Sequence, residues 1–235
     1  MALHQNIHRN ILLHLLKDIY TDTAIGPVLG FKGGTAAYLF YGLGRFSVDL
    51  DFDLLDETKT DPVFGRAEEI VKEYGVIREK RKKRNTLFLV LSYEEKAPNI
   101  KVEINFRRFG SKYELKSHLG ISMLVMVKED MFAHKLVAMT ERLGQANRDI
   151  FDIWFFAKNN WPVNTEIVRK RTGMLFGDFL QKCVGLLEKW SDRAILSGMG
   201  DLLDAKQKAW VKAHLKEETI FLLKVKREGE KHDKE

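Results

Sequence analysis

Cysteine is nearly absent from this chain. Cys183 stands alone, so no intrachain disulfide can form, and a reducing compartment fits. Long apolar runs are missing too: no stretch approaches the roughly 18 residues that a membrane-spanning helix needs. The opening segment, MALHQNIHRNILLHLLKDIY, breaks its apolar positions with histidines, an arginine and an aspartate. With no continuous apolar core and no small-residue cleavage site, it reads as an amphipathic helix and not as a signal peptide. A cytoplasmic protein with no membrane partner is expected. Internal repeats and low-complexity tracts are also lacking.

What remains is an ordinary globular composition. The 235 residues are 45% hydrophobic and 31% charged, enough for one large domain or two small ones with a buried core. A formal charge of +6 and a pI near 9.2 lean modestly toward polyanionic partners. Part of the excess lies in one run, Arg78 to Arg84, which either guides an RNA backbone or protects a solvated sheet edge. Another part lies in the tail from about residue 224, which reads as frayed.

Hydrophobic periodicity divides the chain. Ile7, Ile11, Leu12, Leu15 and Ile19 predict a first helix over 3–20. A short apolar piece, 28–31, leads into Lys32-Gly33-Gly34-Thr35 and a helix over 36–41. Residues 47–54, SVDLDFDL, alternate strictly, with Asp49, Asp51 and Asp53 on one face. A helix from Pro62 to Tyr74 and strands over 76–82, 86–93 and 100–107 follow. From Glu129 the period is helical: Phe132, Leu136, Met139 and Leu143 form one stripe, and Ile150, Ile153, Trp154 and Ala157 the next. Further helices are predicted over 164–172, 176–190 and 201–223. The expected organisation is α+β over 1–127 and all-α over 128–235.

The chemistry-bearing segment is FKGGTAAYLFYGLGRFSVDLDFDLL, residues 31–55. Asp49 and Asp51 are two residues apart in a strand, which sets their side chains roughly 7 Å apart on one side. Such like charges repel unless a cation sits between them. Mg²⁺ suits the position, because it takes oxygen ligands and bridges a few carboxylates to phosphates. Gly33-Gly34 permits a sharp turn and close backbone approach. A helix opening near Thr35 would offer N–H groups to a phosphate. Asp53 is an extra carboxylate whose role stays open, simple solvation being one reading.

A Gly-Gly turn followed by a D-x-D strand resembles the signature of polymerase-β-type nucleotidyltransferases. The form KGGTA…RFSVDLDF resembles the AbiEii/AbiGii toxin family. The resemblance implies a mixed sheet with flanking helices, then a helical C-terminal domain, with a nucleotide cleft between the two. It places Asp49 and Asp51 as ligands of Mg²⁺, or of Mn²⁺ in its stead. It places Lys32, Gly33, Gly34, Thr35, Arg45 and Ser47 at the nucleotide. A third acid usually comes from a nearby strand, and Glu103 in IKVEINFRRF fits, as general base or second-metal ligand. Without the resemblance Glu103 reads as a solvent-facing glutamate.

A second block, KEDMFAHKLVAMTERLGQANRDIFDIWFFAK over 128–158, resembles the K-x-x-A-x-x-x-R…R-D-x-x-D segment of the same toxins. Lys135 and Arg142 share a helix face and would neutralise phosphates. Asp149 and Asp152 share the polar face of the next helix, and the resemblance makes Asp152 functionally important. Alone, the same helices would carry surface pairs such as Arg148–Asp152. The expected activity is transfer of a nucleoside monophosphate from an NTP to the 3′ end of tRNA, opposed by a separately encoded antitoxin. The alternatives are a small-molecule or protein acceptor, a non-catalytic nucleotide-binding regulator, and an RNA-binding module. His4 and His8, and the aromatics Trp154 and Trp161, carry no chemistry in this reading: the histidines face solvent and the tryptophans are core or hinge aromatics.

Overall fold

The computed structural model describes residues 2–95 and 97–232, and it divides into two units. The first comprises residues 1–42, 46–108 and 112–126. The second comprises 127–235 together with two short pieces, 43–45 and 109–111.

The first unit is built on one seven-stranded mixed sheet of order β3-β4-β5-β2-β1-β7-β6. Its strands are β1 (Leu29–Lys32), β2 (Leu50–Leu54), β3 (Val76–Lys83), β4 (Thr86–Ser92), β5 (Ile100–Asn105), β6 (Tyr113–His118) and β7 (Ile121–Met126). Central β1 pairs antiparallel with β2 and parallel with β7, and β2 pairs parallel with β5. Alternation decides the faces. Val125, Phe31, Phe52, Ile104 and Leu87 are successive cross-strand partners on one side. All five are at most 2% exposed. Burying each contributes roughly 1.5–3 kcal/mol.

Three helices cover that side: α1 (Ala2–Thr21), α2 (Gly33–Tyr41) and α3 (Thr60–Lys72). Tyr20 of α1 meets Phe52, Phe40 of α2 meets Phe31, and Phe64 of α3 lies under Lys80. The buried stripe of α1 is His8, Leu12, Leu15, Leu16 and Ile19, whereas Ile7 is exposed. The sequence reading put His8 in solvent. Instead it is 1% exposed, its Nε2 3.0 Å from the Val48 carbonyl and its Nδ1 2.8 Å from the Tyr93 hydroxyl. Burial lowers its pKa, the Val48 bond and Asp49 opposing. The side chain of His4 lies outside the described residues.

The β6–β7 hairpin was not anticipated from sequence. It turns through Leu119 and Gly120, both at positive φ (50° and 78°). That is the mirror-image turn a two-residue hairpin requires.

The second unit is helical: α4 (Lys128–Arg142), α5 (Arg148–Lys158), α6 (Thr165–Thr172), α7 (Phe176–Lys189), α8 (Ala205–Trp210) and α9 (Lys216–His232), with one π-type segment, Val211–Leu215, before α9. Trp161 stacks on Phe156 at 4.0 Å, and Trp154 packs against Trp210 and donates to Glu218. Trp161 is thus core and Trp154 half-buried. The tail read as frayed is instead helical as far as His232. No helix among the described residues is long and apolar enough to cross a membrane.

Candidate active site

In the first unit, the turn between β1 and α2 is shaped around an aspartate. Gly33 has φ +79°, and a Cβ there would lie 2.2 Å from Asp51 Oδ2. Only glycine allows both the left-handed backbone and that approach. Gly34 and Thr35 complete the first turn of α2, and Lys32 at the N-cap supplies no side-chain cap. The amides of such a turn point toward whatever occupies the helix N-terminus.

Asp51 is the second residue of β2, in register with Lys32 on β1 and with Glu103 on β5. The carboxylate expected from a neighbouring strand is therefore the direct cross-strand neighbour of Asp51. Asp49 stands just before β2, which begins at Leu50 and not at residue 47. Its backbone is pinned: the Thr35 hydroxyl donates to the Asp49 carbonyl, and Thr35 Oγ1 is 2.9 Å from Ser47 Oγ. A hydroxyl carries one proton, so the Ser47 hydroxyl is best placed to donate to Thr35. Thr35 and Ser47, both buried, thus join the glycine turn to the aspartate segment.

Asp53 is not solvated. Lys32 Nζ lies 2.6 Å from its Oδ1, and the Tyr113 hydroxyl donates to its Oδ2 at 2.5 Å. The Tyr113 ring lies over Gly30, where a Cβ would come within 2.3 Å of it. Lys32, expected at the nucleotide, is held by this structural carboxylate. Neither Tyr113 nor Gly30 was marked by the sequence reading, because the contact joins strands far apart in the chain.

Among the described residues no three His, Cys, Asp or Glu side chains gather closely enough to hold a metal ion by themselves. The site offers a pair of adjacent carboxylates, Asp51 and Glu103, with Asp49 two residues along the chain. This donor set fits Mg²⁺, which commonly uses one or two carboxylates and completes its shell with water and substrate phosphate.

The second unit holds a buried ion cluster. Arg45 is bidentate on Asp152, with Nε 2.6 Å from Oδ1 and Nη2 2.7 Å from Oδ2. Lys135 Nζ lies 2.9 Å from Asp149 Oδ1 and 2.7 Å from Asp152 Oδ2. Arg142 Nε is 2.6 Å from Asp149 Oδ2. Both aspartates are 0% exposed. The polar face of α5 that carries Asp149 and Asp152 is thus buried, and Asp152 takes Arg45 and Lys135 as counter-ions. Burial works against ionising Asp149, yet Lys135 and Arg142 override it and hold its pKa down to about 2. Asp152 shifts down likewise, its burial outweighed by Arg45 and Lys135. A carboxylate so buried and so saturated by cations is a poor proton acceptor. Arg45, Lys135, Arg142 and Asp152, all expected at the reaction, are brought together with Asp149 and hold one another.

The sequence model of the nucleotidyl transferase AbiEii toxin, type IV toxin–antitoxin system, matches residues 14–194, about three quarters of the chain. The chain belongs to this family. It is therefore a nucleotidyltransferase of the AbiEii toxin class. Two Helicobacter pylori structures share its fold. JHP933 is 20% identical with a TM-score of 0.58, over 98% of each chain. A chain provisionally assigned as a nucleotidyltransferase is 20% identical with a TM-score of 0.56, over 92% of this chain and 95% of that one. At such identity the likeness speaks for the fold alone. No curated protein gives a significant match.

Proposed function

We propose that this AbiEii-family chain transfers a nucleoside monophosphate from an NTP to the 3′ hydroxyl of tRNA, with Mg²⁺ at Asp49 and Asp51 and with Glu103 as the general base beside them. Mn²⁺ would serve in place of Mg²⁺. The observation that carries this reading is the Asp51 carboxylate seated against Gly33 at the opening of α2, with Glu103 beside it in register.

The first-turn amides of α2 hold the triphosphate, and the missing side chain at Gly33 lets it approach. Asp49 and Asp51 hold the cation, which when bound neutralises charge on the phosphate oxygens. Glu103 accepts the proton of the acceptor hydroxyl. That oxygen bonds to the α-phosphorus, the bond from α-phosphorus to the bridging oxygen breaks, and pyrophosphate leaves. Thr35 and Ser47 position the Asp49 segment. Arg45 and Asp152 act as positioning residues of the second unit. Phosphate contact by Lys135 and Arg142 would require each to exchange an aspartate for a phosphate. A separately encoded antitoxin is the counterpart that a type IV system implies.

The test is incubation with each α-labelled NTP, Mg²⁺ and total tRNA, for the native chain and for Asp49→Asn/Asp51→Asn. Label in precipitable RNA with the native chain alone supports the reading. Label appearing only in soluble product would move the acceptor to a small molecule.

A further inference from the structure

The basic run from Arg78 to Arg84 divides between the two faces of the sheet, and the halves have different surroundings. Lys80 and Lys82, partners of Leu89 and Leu87, lie on the helix-covered side. There Lys80 pairs with Glu68 and Lys82 with Asp61, both from α3. Arg81 and Lys83, partners of Phe88 and Thr86, lie on the opposite side.

That opposite side is the side of the carboxylates. Arg81, Phe88, Glu103, Asp51 and Lys32 are successive cross-strand partners over β3, β4, β5, β2 and β1. Lys83, Thr86, Asn105 and Asp53 make the next row. Arg81 therefore stands three strand spacings, about 14 Å, from Asp51. Lys101, two residues before Glu103, adds a third exposed cation on this face.

The cations here are available for exchange. Arg81 pairs only with Glu79 at 2.6 Å among the ion pairs of the described residues, with Arg81 exposed and Glu79 partly so. Exposed pairs of this kind are weak and yield readily to another anion. Lys83 and Lys101 meet no carboxylate within ion-pair reach among the described residues. Between them lies Phe88, half-buried, with Val90 buried beside it on the same face. Cations spaced around an accessible ring are what a single-stranded nucleic acid recognises, with phosphates for the charges and a base for the ring. An acidic protein would use the charges but gives the ring no comparable task.

We propose that this face of β3, β4 and β5, carrying Arg81, Lys83, Lys101 and Phe88, seats the single-stranded 3′ segment of the RNA acceptor and delivers its terminal hydroxyl to Glu103 and Asp51. The proposal rests on reading the carboxylates as a nucleotidyl-transfer centre that uses RNA.

Its test does not depend on turnover. Fluorescence anisotropy of a short RNA with a single-stranded 3′ end, without NTP or Mg²⁺, would compare charge-matched pairs on the two faces. Lys83→Gln/Lys101→Gln is expected to weaken binding tenfold or more and to lower the salt slope by roughly 1.4, about 0.7 for each lysine. Phe88→Leu is expected to weaken binding about tenfold with the slope unchanged. Lys80→Gln/Lys82→Gln is expected to stay within about twofold of the native chain, and melting curves would establish that each variant is folded. Equal effects of the two lysine pairs, an unaffected Phe88→Leu, or no binding by the native chain would each overturn the proposal. Label transfer in the same preparations separates the two readings. Transfer to RNA that ignores the face-specific substitutions overturns the platform alone. Face-specific binding without transfer upholds the platform and overturns the acceptor chemistry.

Discussion

Replacing Lys135 by methionine keeps most of the aliphatic stem and removes the ammonium that lies 2.9 Å from Asp149 and 2.7 Å from Asp152. Both aspartates are fully buried, so each is left with fewer counter-charges where water cannot help. Removing one partner of a buried ion cluster costs about 3–5 kcal/mol. For a chain of this size that lowers the melting temperature by roughly 6–20 °C. The same geometry sets a pH signature. The Asp149 carboxyl is held near 2, below the ordinary value of 3.8. Its stabilisation, about 2 kcal/mol, is complete above the unfolded pKa and disappears as pH falls from about 4 through 2. Without Lys135 the folded pKa rises toward the unfolded one, so acid unfolding begins at higher pH. Differential scanning fluorimetry between pH 3 and 8 reads both effects. A Lys135→Met chain that melts like the native one, but needs more than ten times as much NTP for half-maximal transfer, would refute this account. It would return Lys135 to the phosphate.

Three further outcomes follow from the first unit. Gly33→Ala puts a methyl group 2.2 Å from Asp51 Oδ2 at a φ of +79°, and should cut transfer by about a hundredfold or more while the chain still folds. Asp51→Asn should abolish transfer and leave the metal-free melting temperature unchanged or higher, since one of the crowded carboxylates is neutralised. A clear fall would instead mark Asp51 as structural. Thr35→Val leaves the Asp49 carbonyl and the Ser47 hydroxyl short of a buried partner, so it should cost about 1–3 kcal/mol by denaturant melt and lower transfer as well.

The parts of this protein that the sequence revealed are those written in local pattern. The alternation of LDFDL marked β2, the glycine pair marked the turn, and the step from period two to helical period marked α4 and α5. What stayed hidden was set by partners far along the chain. Asp152 reads only as part of a polar helix face because its counter-ion, Arg45, is 107 residues away. Asp53 reads as spare because Tyr113 is 60 residues away. His8 sits at helical spacing from Leu12, Leu15 and Leu16, and that phase was legible in hindsight; a polar residue on an apolar stripe simply pointed the wrong way. The β6–β7 hairpin escaped notice because its turn uses Leu119-Gly120, without the asparagine or aspartate that announces such turns. The basic run looked uniform in sequence, and only the register divides it into a half paired with α3 and a half on the side of the carboxylates.

The central claim is that this chain moves a nucleoside monophosphate, using the carboxylates around Gly33. Parallel reactions with α-labelled and γ-labelled NTP, with RNA and Mg²⁺, test it most directly. The account predicts that α-label enters the RNA 3′ end in step with release of pyrophosphate carrying the γ-label, and that both signals vanish in Asp49→Asn/Asp51→Asn. Appearance of the γ-label on the acceptor, or transfer that survives loss of both aspartates, would contradict it.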